Sequence, residues 1–205
     1  MFWRKWLVRT LVLLVAAGLG SAAFLYLHWT SPSVMRRRVI AKLGEQIPGA
    51  AISLDSARLR LLGGIAIREL RLTRHDDPDQ NEFVHIPSAI LYHDKEQLLD
   101  GKLAVRKVVL YRPRICLIRG GNGQWNVENL FGPPEPDVPM PTIVVQNGTL
   151  VLEDRSVTPP ITSEVRDVNL TMVNDPLLEV NCQGTGQSDL AGPLDIQATW
   201  KRDTG

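Results

Sequence analysis

The feature that most constrains this chain is a segment that recurs along it in the same order. "GGIAIRELRL" at residues 63–72 returns as "GKLAVRKVVL" at 101–110, and a shorter echo, "VRDVNL", occupies 165–170. In each copy the aliphatic residues alternate, slip by one position after the arginine, and alternate again. This period of two predicts half-buried β-strands, because successive side chains of a strand point to opposite faces.

The slip predicts how these strands bend. Without a compensating change in the backbone, the slip would send the side chains of the two halves of each strand to opposite faces of the sheet. A β-bulge at Arg68-Glu69, Arg106-Lys107 and Arg166-Asp167 would keep the aliphatic residues on one face and curve the sheet. We therefore predict a charged convex face and an apolar concave face. The residues predicted to line the concave face are Leu59, Leu61, Ile65, Ile67, Leu70, Leu72, Leu103, Val105, Val108 and Leu110.

The N-terminus predicts a membrane anchor. Residues 10–35 contain no Asp, Glu, Lys or Arg, and 11–27 are almost wholly apolar. A helix from 11 to Trp29 would span about 28 Å, close to the hydrocarbon thickness of a bilayer. We predict a signal-anchor transmembrane helix at 1–30, with a signal peptide cleaved near Ser21 as the alternative. The basic residues on the two sides are nearly balanced and do not set its orientation.

Residues 31–48 predict a short amphipathic helix. Val39, Leu43 and Ile47 fall on one stripe, while the basic residues Arg36, Arg37, Arg38 and Lys42 form another side. Two interpretations remain open. The helix could lie on lipid headgroups beside the anchor, or its apolar stripe could cap the following sheet.

The rest of the chain predicts a long β structure in two parts. Residues 49–132 form the first part of a β groove, the Pro-rich segment 133–141 is a stiff linker, and 142–205 continue the groove. "TIVVQNGTLVLED" predicts a hairpin that turns at Asn147-Gly148. Repeating hairpins of this kind predict a mainly β fold, a curved antiparallel groove capped by the short helix.

The chain lacks the motifs of common enzymes. It has no Gly-x-Ser-x-Gly and no phosphate-binding Gly-Lys-Ser/Thr, and the spacing of His75, His85 and His93 matches no metal-ligand motif. We expect no catalytic residues, no cofactor and no metal. The net charge of +1 gives no electrostatic case for nucleic acid. Cys116 and Cys182 leave one disulfide or two free thiols equally open.

Three stretches in order resemble a known family. "ISLDSARLRLLGGIAIRELRL", "LLDGKLAVRKVVLYRPRICLIRGGNGQWNVENLF" and "IVVQNGTLVLEDR" resemble the N-terminal region of AsmA-family proteins, relatives of TamB. The most specific part is "VRKVVLYRP", a second strand, and then "GQWNVENL", in which Gly123, Trp125 and Asn126 form a structural motif. Family members are generally much longer than this chain.

The resemblance implies a function. It implies a single-pass protein of the bacterial inner membrane with most of its chain in the periplasm, which transfers phospholipid toward the outer membrane and supports outer-membrane biogenesis. Phospholipid, the inner membrane and envelope proteins are the implied partners. The alternative is an assembly factor that affects protein targeting to the outer membrane by adding client strands at an exposed sheet edge, which we predict at Leu150–Glu153. A closed, purely structural β domain is a third possibility.

Overall fold

The structure, a computed structural model, describes residues 31–60, 64–75, 81–93, 104–130 and 139–202. The predicted anchor at 1–30 lies outside the described residues, as do Leu61, Leu103 and positions 131–138 of the Pro-rich segment. Strands make up 64% of the described residues, and a short helix and a curved sheet complete the fold. The mainly β character predicted from the alternating segments is therefore confirmed.

Within the described residues, one helix precedes nine strands. Helix α1 spans Pro32–Gln46, with a proline in its first turn, where the missing N–H costs no helical hydrogen bond. The strands are β1 Ala50–Arg60, β2 Gly64–Arg74, β3 Glu82–His93, β4 Val105–Tyr111, β5 Arg114–Arg119, β6 Thr142–Asp154, β7 Ile161–Val173, β8 Glu179–Ser188 and β9 Gly192–Lys201.

All nine strands belong to one sheet in the order β1-β2-β3-β4-β6-β7-β8-β9, with β5 between β3 and β6. Strands β4 and β5 follow one another along the same line, and both pair with β3 on one side and β6 on the other. Strand β6 runs parallel to β4 and β5. The sheet is therefore curved and mostly antiparallel, but its centre holds a parallel pairing that the predicted hairpins did not include.

The expected hairpin at Asn147-Gly148 is wrong. Both residues lie inside β6, which continues from Thr142 to Asp154 and pairs with β7 on both sides of the asparagine, for example at Val144–Thr171 and Glu153–Thr162. Asn147 adopts φ 52°, a left-handed value that asparagine tolerates better than most residues. The dipeptide therefore kinks one long strand where the sequence pattern predicted a reversal.

The predicted edge at Leu150–Glu153 is also wrong. Leu150 pairs with Ile115 of β5 and with Val165 of β7, so this segment is central in the sheet. The terminal strands in the sheet order are β1 and β9.

The slip seen in the sequence repeats recurs across the sheet. Apolar residues on the same face are three positions apart where alternation requires two, at Leu54/Ala57, Ile67/Leu70, Ile86/Ala89, Leu110/Pro113, Val145/Gly148 and Val165/Val168. We call this line of slips the crease. Four residues along it adopt φ of 51–52°: Glu69, Arg112, Asn147 and Asp167. In β2, β6, β7 and at the junction of β4 and β5, one left-handed residue therefore accompanies the slip, whereas β1 and β3 slip without one.

The predicted bulges have different outcomes at the three sites. At Arg106-Lys107 the bulge is confirmed, because Tyr92 pairs with Lys107 and His93 with Val105, leaving Arg106 as the extra residue. At the third site the register also shifts, between Arg166 and Asn169. At Arg68-Glu69 a bulge is wrong: β1, β2 and β3 slip at the same level, so both pairings of β2 keep their register there. At these three sites, a bulge forms where a neighbouring strand keeps its regular alternation at the same level, and no bulge forms where both neighbours slip as well.

Candidate functional site

The face that carries the apolar residues, which we call the inner face, is continuous across the sheet. Residues paired directly across neighbouring strands point to the same face, so the register identifies rows of side chains. The first row is Ile67, Ala89, Leu110, Val145, Leu170, Gly184 and Ile196, and the second is Ile65, Leu91, Val108, Ile143, Met172, Cys182 and Ala198. Both rows cross from β2 to β9 and consist of aliphatic or small residues.

The sequence-predicted residues lie on this face wherever the structure describes them. Leu59 pairs with Ile65, and Leu70 pairs with Leu54 and Ile86. Val105 reaches the same face as Val108, three positions away, because of the bulge at Arg106. The eight described residues of the predicted set are Leu59, Ile65, Ile67, Leu70, Leu72, Val105, Val108 and Leu110; Leu61 and Leu103 lie outside the described residues.

The part of the inner face on β1–β3 is filled. Ile65 and Ile67 are 0% and 1% exposed, and they share one buried cluster with Met35 and Val39 of α1. The Arg36 guanidinium also donates from Nε to the carbonyl oxygen of Leu54, which ties the helix to β1. The interpretation of α1 as a cap on the sheet is therefore confirmed. Ile65, Ile67, Leu70 and Leu72 form a core beneath α1, and in this arrangement no acyl chain could reach them.

The part on β4–β9 is more open. The buried cluster beneath α1 ends among residues that include Leu110, which is only partly buried. Beyond it Ile143 and Val145 of β6, and Leu170 and Met172 of β7, are partly buried, and Trp200 of β9 is 43% exposed. Three other inner-face residues of β7 and β8 are buried: Val165 is 8%, Val180 2% and Cys182 7% exposed. This stretch, defined by the inner-face residues of β4 and β6–β9, we call the open stretch. It is the candidate functional surface.

Residues of the open stretch on β6 and β7 were missed by the predicted set. The signal was present, because Val165, Val168 and Leu170 follow the same slipped alternation as the first two copies. The predicted set followed only the two longer copies of the repeat, and β6 was divided by the expected hairpin.

The Gly-x-Trp-Asn motif forms the turn that follows β5. The Asn126 side chain accepts from the Ile118 N–H at 2.9 Å and donates to the Cys116 carbonyl at 2.8 Å, which extends the edge of β5. Gly123 has φ 82°, a value that favours glycine. Trp125 is half-buried and forms a bridge with Arg119. The turn directs Leu130, 1% exposed, into the core beside α1.

The opposite face, which the sequence pattern predicts to be the charged one, carries ion pairs. Around the crease, Glu69 accepts from His85 Nε2 at 2.9 Å and from Arg71 at 3.1 Å, and Arg71 also contacts Glu82 at 3.2 Å. The hydrogen bond from His85, followed by that from Arg71, lowers the pKa of Glu69. Further along, Glu164 contacts Arg166 at 3.6 Å and Arg114 at 3.7 Å. The ion pairs thus lie on the face opposite the apolar rows. This face also carries the aliphatic residues Ile90, Val109 and Val144, which are in register with one another, and Val109 is 5% exposed.

The two cysteines are free and lie on opposite faces of the sheet. Cys116 follows the inner-face residue Ile115, whereas Cys182 pairs with Met172 on the inner face. Burial raises the pKa of the Cys182 thiol, so that it remains protonated. The alternative of a disulfide is excluded by this placement.

The described ranges contain no cluster of three or more His, Cys, Asp or Glu side chains placed to bind a metal ion. Among the helices in those ranges, none has the length and apolar character needed to cross a bilayer. Comparisons with protein-family models, with curated proteins and with solved structures found no match to this chain.

Proposed function

We propose that this chain is a membrane-anchored, non-enzymatic protein of the bacterial envelope, similar to the N-terminal region of AsmA-family proteins, that holds phospholipid acyl chains along the open stretch. The observation that carries the proposal is the continuity of the apolar rows beyond the region that α1 fills. The apolar side chains along it that remain partly exposed, among them Val145, Leu170 and Met172, are favourable for an extended apolar ligand. The anchor would be the apolar segment at 1–30, with the sheet in the periplasm.

The mechanism is passive. Acyl chains would lie against Val145, Leu170 and Met172 while the headgroup remains in water. Each methylene removed from water contributes about 0.8 kcal/mol, so two acyl chains can be held without a catalytic group. Transfer toward the outer membrane would require the apolar rows to continue into further strands or a partner protein, since nine strands do not span an envelope.

Photocrosslinking tests this proposal in the full chain. A benzophenone amino acid replaces Leu170, which faces inward, or Thr171, its outward-facing neighbour on β7. Thr171 is the matched control, because it pairs with Val144 on the opposite face one residue away. We expect phospholipid adducts, identified by mass spectrometry, at position 170 and few at 171. Equal labelling at the two positions, or none at 170, would contradict lipid binding on the inner face.

A second candidate function is strand addition at β9. Within the described residues β9 pairs only with β8, so one side of its backbone is available to an extended client segment. A benzophenone at Gln197 tests this candidate. Adducts with envelope proteins at 197, combined with no lipid adducts at 170, would favour an assembly role over lipid transfer.

A further inference from the structure

We infer that one end of the sheet docks onto the surface of an anionic phospholipid bilayer through a group of four exposed apolar side chains. We call this group the apolar rim; its members are Met140, Leu177, Leu178 and Trp200. The inference rests on the proposed membrane anchoring and adds to it the surface that contacts the headgroups.

The apolar rim is exposed although its backbone is held firmly. Leu177 and Leu178 are each 42% exposed, Trp200 is 43% exposed and Met140 is 37% exposed. Large apolar side chains grouped in this way on a surface mark an interaction site more often than single exposed ones do.

Asn174 organises the backbone of the rim. Its Nδ2 donates to the carbonyl oxygens of Leu177 at 2.7 Å and Glu179 at 2.9 Å, and its Oδ1 accepts from the Met140 N–H at 3.0 Å. The Arg202 N–H donates to the Leu178 carbonyl at 2.8 Å. Because these bonds tie the two ends of the turn together, the leucines are presented to solvent on an ordered turn.

The rim lies at the end of the sheet toward which α1 begins. Its residues flank the start of β6, the end of β7, the start of β8 and the end of β9, which the register places at the same end as the last residue of β1, Arg60. Three residues separate the end of α1 from the start of β1, so the helix runs antiparallel to β1 beside it. From Gln46 to Arg36 is about 15 Å of helix, and from Ala50 to Leu54 is about 13 Å of strand, which agrees with the bond between Arg36 and Leu54.

The N-terminus of α1 therefore points toward the end that carries the rim. The uncharged segment that ends at Met35 precedes and enters this helix. A chain anchored by that segment would bring this end of the sheet closest to the bilayer. Tryptophan, at position 200 here, is enriched at membrane interfaces because its ring is apolar and its N–H needs a polar partner.

The distribution of charged side chains also favours contact between this end of the sheet and the bilayer. The described strand ends there carry basic side chains at Arg58, Arg60, Arg106, Lys107, Lys201 and Arg202, with Asp175 and Glu179 as the acidic ones. The opposite end carries charges of both signs, with Glu82, Glu153, Asp154 and Asp189 beside Arg74, Arg119 and Arg155. Anionic lipid attracts basic residues near its surface. The end with the rim therefore complements an anionic bilayer, and the opposite end does not.

The opposite end supplies a matched control. Leu190 is 75% exposed and Ile161 is 58% exposed, so apolar exposure alone would favour that end at least as well. The inference predicts that Leu190, beside Asp189 and far from the start of α1, stays in water.

The test uses the full chain with both cysteines replaced by alanine and a single new cysteine, in the variant Leu178→Cys or Leu190→Cys. An environment-sensitive fluorophore is attached and the protein is reconstituted into vesicles of phosphatidylcholine with 30 mol% phosphatidylglycerol, about one lipid in three being anionic as in acidic membranes. A nitroxide on the lipid headgroup reports proximity to the surface. We expect strong quenching and a blue shift at 178, neither at 190, and a smaller effect at 178 in pure phosphatidylcholine.

Three results would overturn the inference: equal quenching at 178 and 190, no quenching at either position, or a blue shift at 178 without headgroup quenching. The last result would mean that the rim is buried against a second copy of the chain. Circular dichroism melting of both variants checks folding. The protein with the benzophenone amino acid at position 170 is crosslinked in vesicles of the same composition. Lipid adducts at 170 without quenching at 178 would refute the docking surface and leave the proposed function intact.

Discussion

The backbone N–H of Asn147 on β6 donates to the side-chain Oδ1 of Asn169 on β7 at 3.1 Å, at the level where both strands depart from simple alternation. The departure leaves this N–H outside the regular ladder, because the register between the two strands shifts on each side of Gly148. The Asn169 side chain takes the place of the missing carbonyl partner. At this point of the crease, the side chain of Asn169 thus replaces a ladder hydrogen bond where Asn147 adopts a positive φ.

The first prediction concerns the kink at Asn147. Asn147→Val should destabilise the protein by about 1–3 kcal/mol, because a β-branched residue is strained at φ 52°. Asn147→Gly should be tolerated, since glycine adopts this conformation without strain. Chemical denaturation of the full chain in detergent, followed by circular dichroism, measures both. Equal losses for valine and glycine would indicate that the side chain matters and the backbone conformation does not.

The second prediction separates the filled part of the inner face from the open stretch. Ile67→Ala should cost about 2–5 kcal/mol, because it leaves a cavity beneath α1. Leu170→Ala should cost only about 1 kcal/mol, since its half-buried side chain loses less apolar contact. The same denaturation assay compares the two. If Leu170→Ala were as costly as Ile67→Ala, the open stretch would be a closed core and the third sequence-based possibility, a structural β domain, would gain support.

The third prediction concerns the Asn126 turn. Asn126→Asp should destabilise by about 1–3 kcal/mol, because a carboxylate cannot donate to the Cys116 carbonyl and would leave it unpaired beside a negative charge. Gln124→Ala, an exposed position two residues earlier, is the matched control and should change stability by no more than about 0.5 kcal/mol. Thermal melting of the three proteins suffices. An Asn126→Asp variant that melts at the same temperature as the wild type would show that the turn does not depend on the two side-chain hydrogen bonds.

The fourth prediction concerns acid pH. The folded pKa of Glu69 is lowered from its ordinary 4.5, first by the His85 hydrogen bond and then by that of Arg71. A group with a lowered folded pKa contributes stability above its unfolded pKa, and this contribution disappears as the pH falls through the folded value. We therefore expect Glu69→Gln to flatten the loss of stability below pH 4.5. The effect should be small because the group is solvent-exposed.

A pH series of urea melts between neutral and acid pH, on wild type and Glu69→Gln, tests this point. An identical loss of stability at acid pH in the two proteins would show that the contacts of Glu69 with His85 and Arg71 do not persist in solution. High salt should reduce the difference, since exposed charges are screened.

Local pattern predicted a good deal of the sheet. The alternation around Ile65, Ile67, Leu70 and Leu72 correctly placed these residues on one face, and the slip after Arg106 correctly predicted the bulge. These features depend on side-chain direction along a single strand, which the residue order carries directly.

The sequence by itself determined which residues share a face, because strand alternation and its slips are local. Only the tertiary structure decided that Asn147-Gly148 continues a strand and that β6 lies parallel to β4, since both depend on which distant segments pair. It also decided that α1 fills the face on β1–β3 and leaves residues such as Val145, Leu170 and Met172 beyond β4 partly exposed. An apolar side chain is stabilised equally by any apolar neighbour, so its sequence cannot say whether a helix, another strand or a ligand covers it.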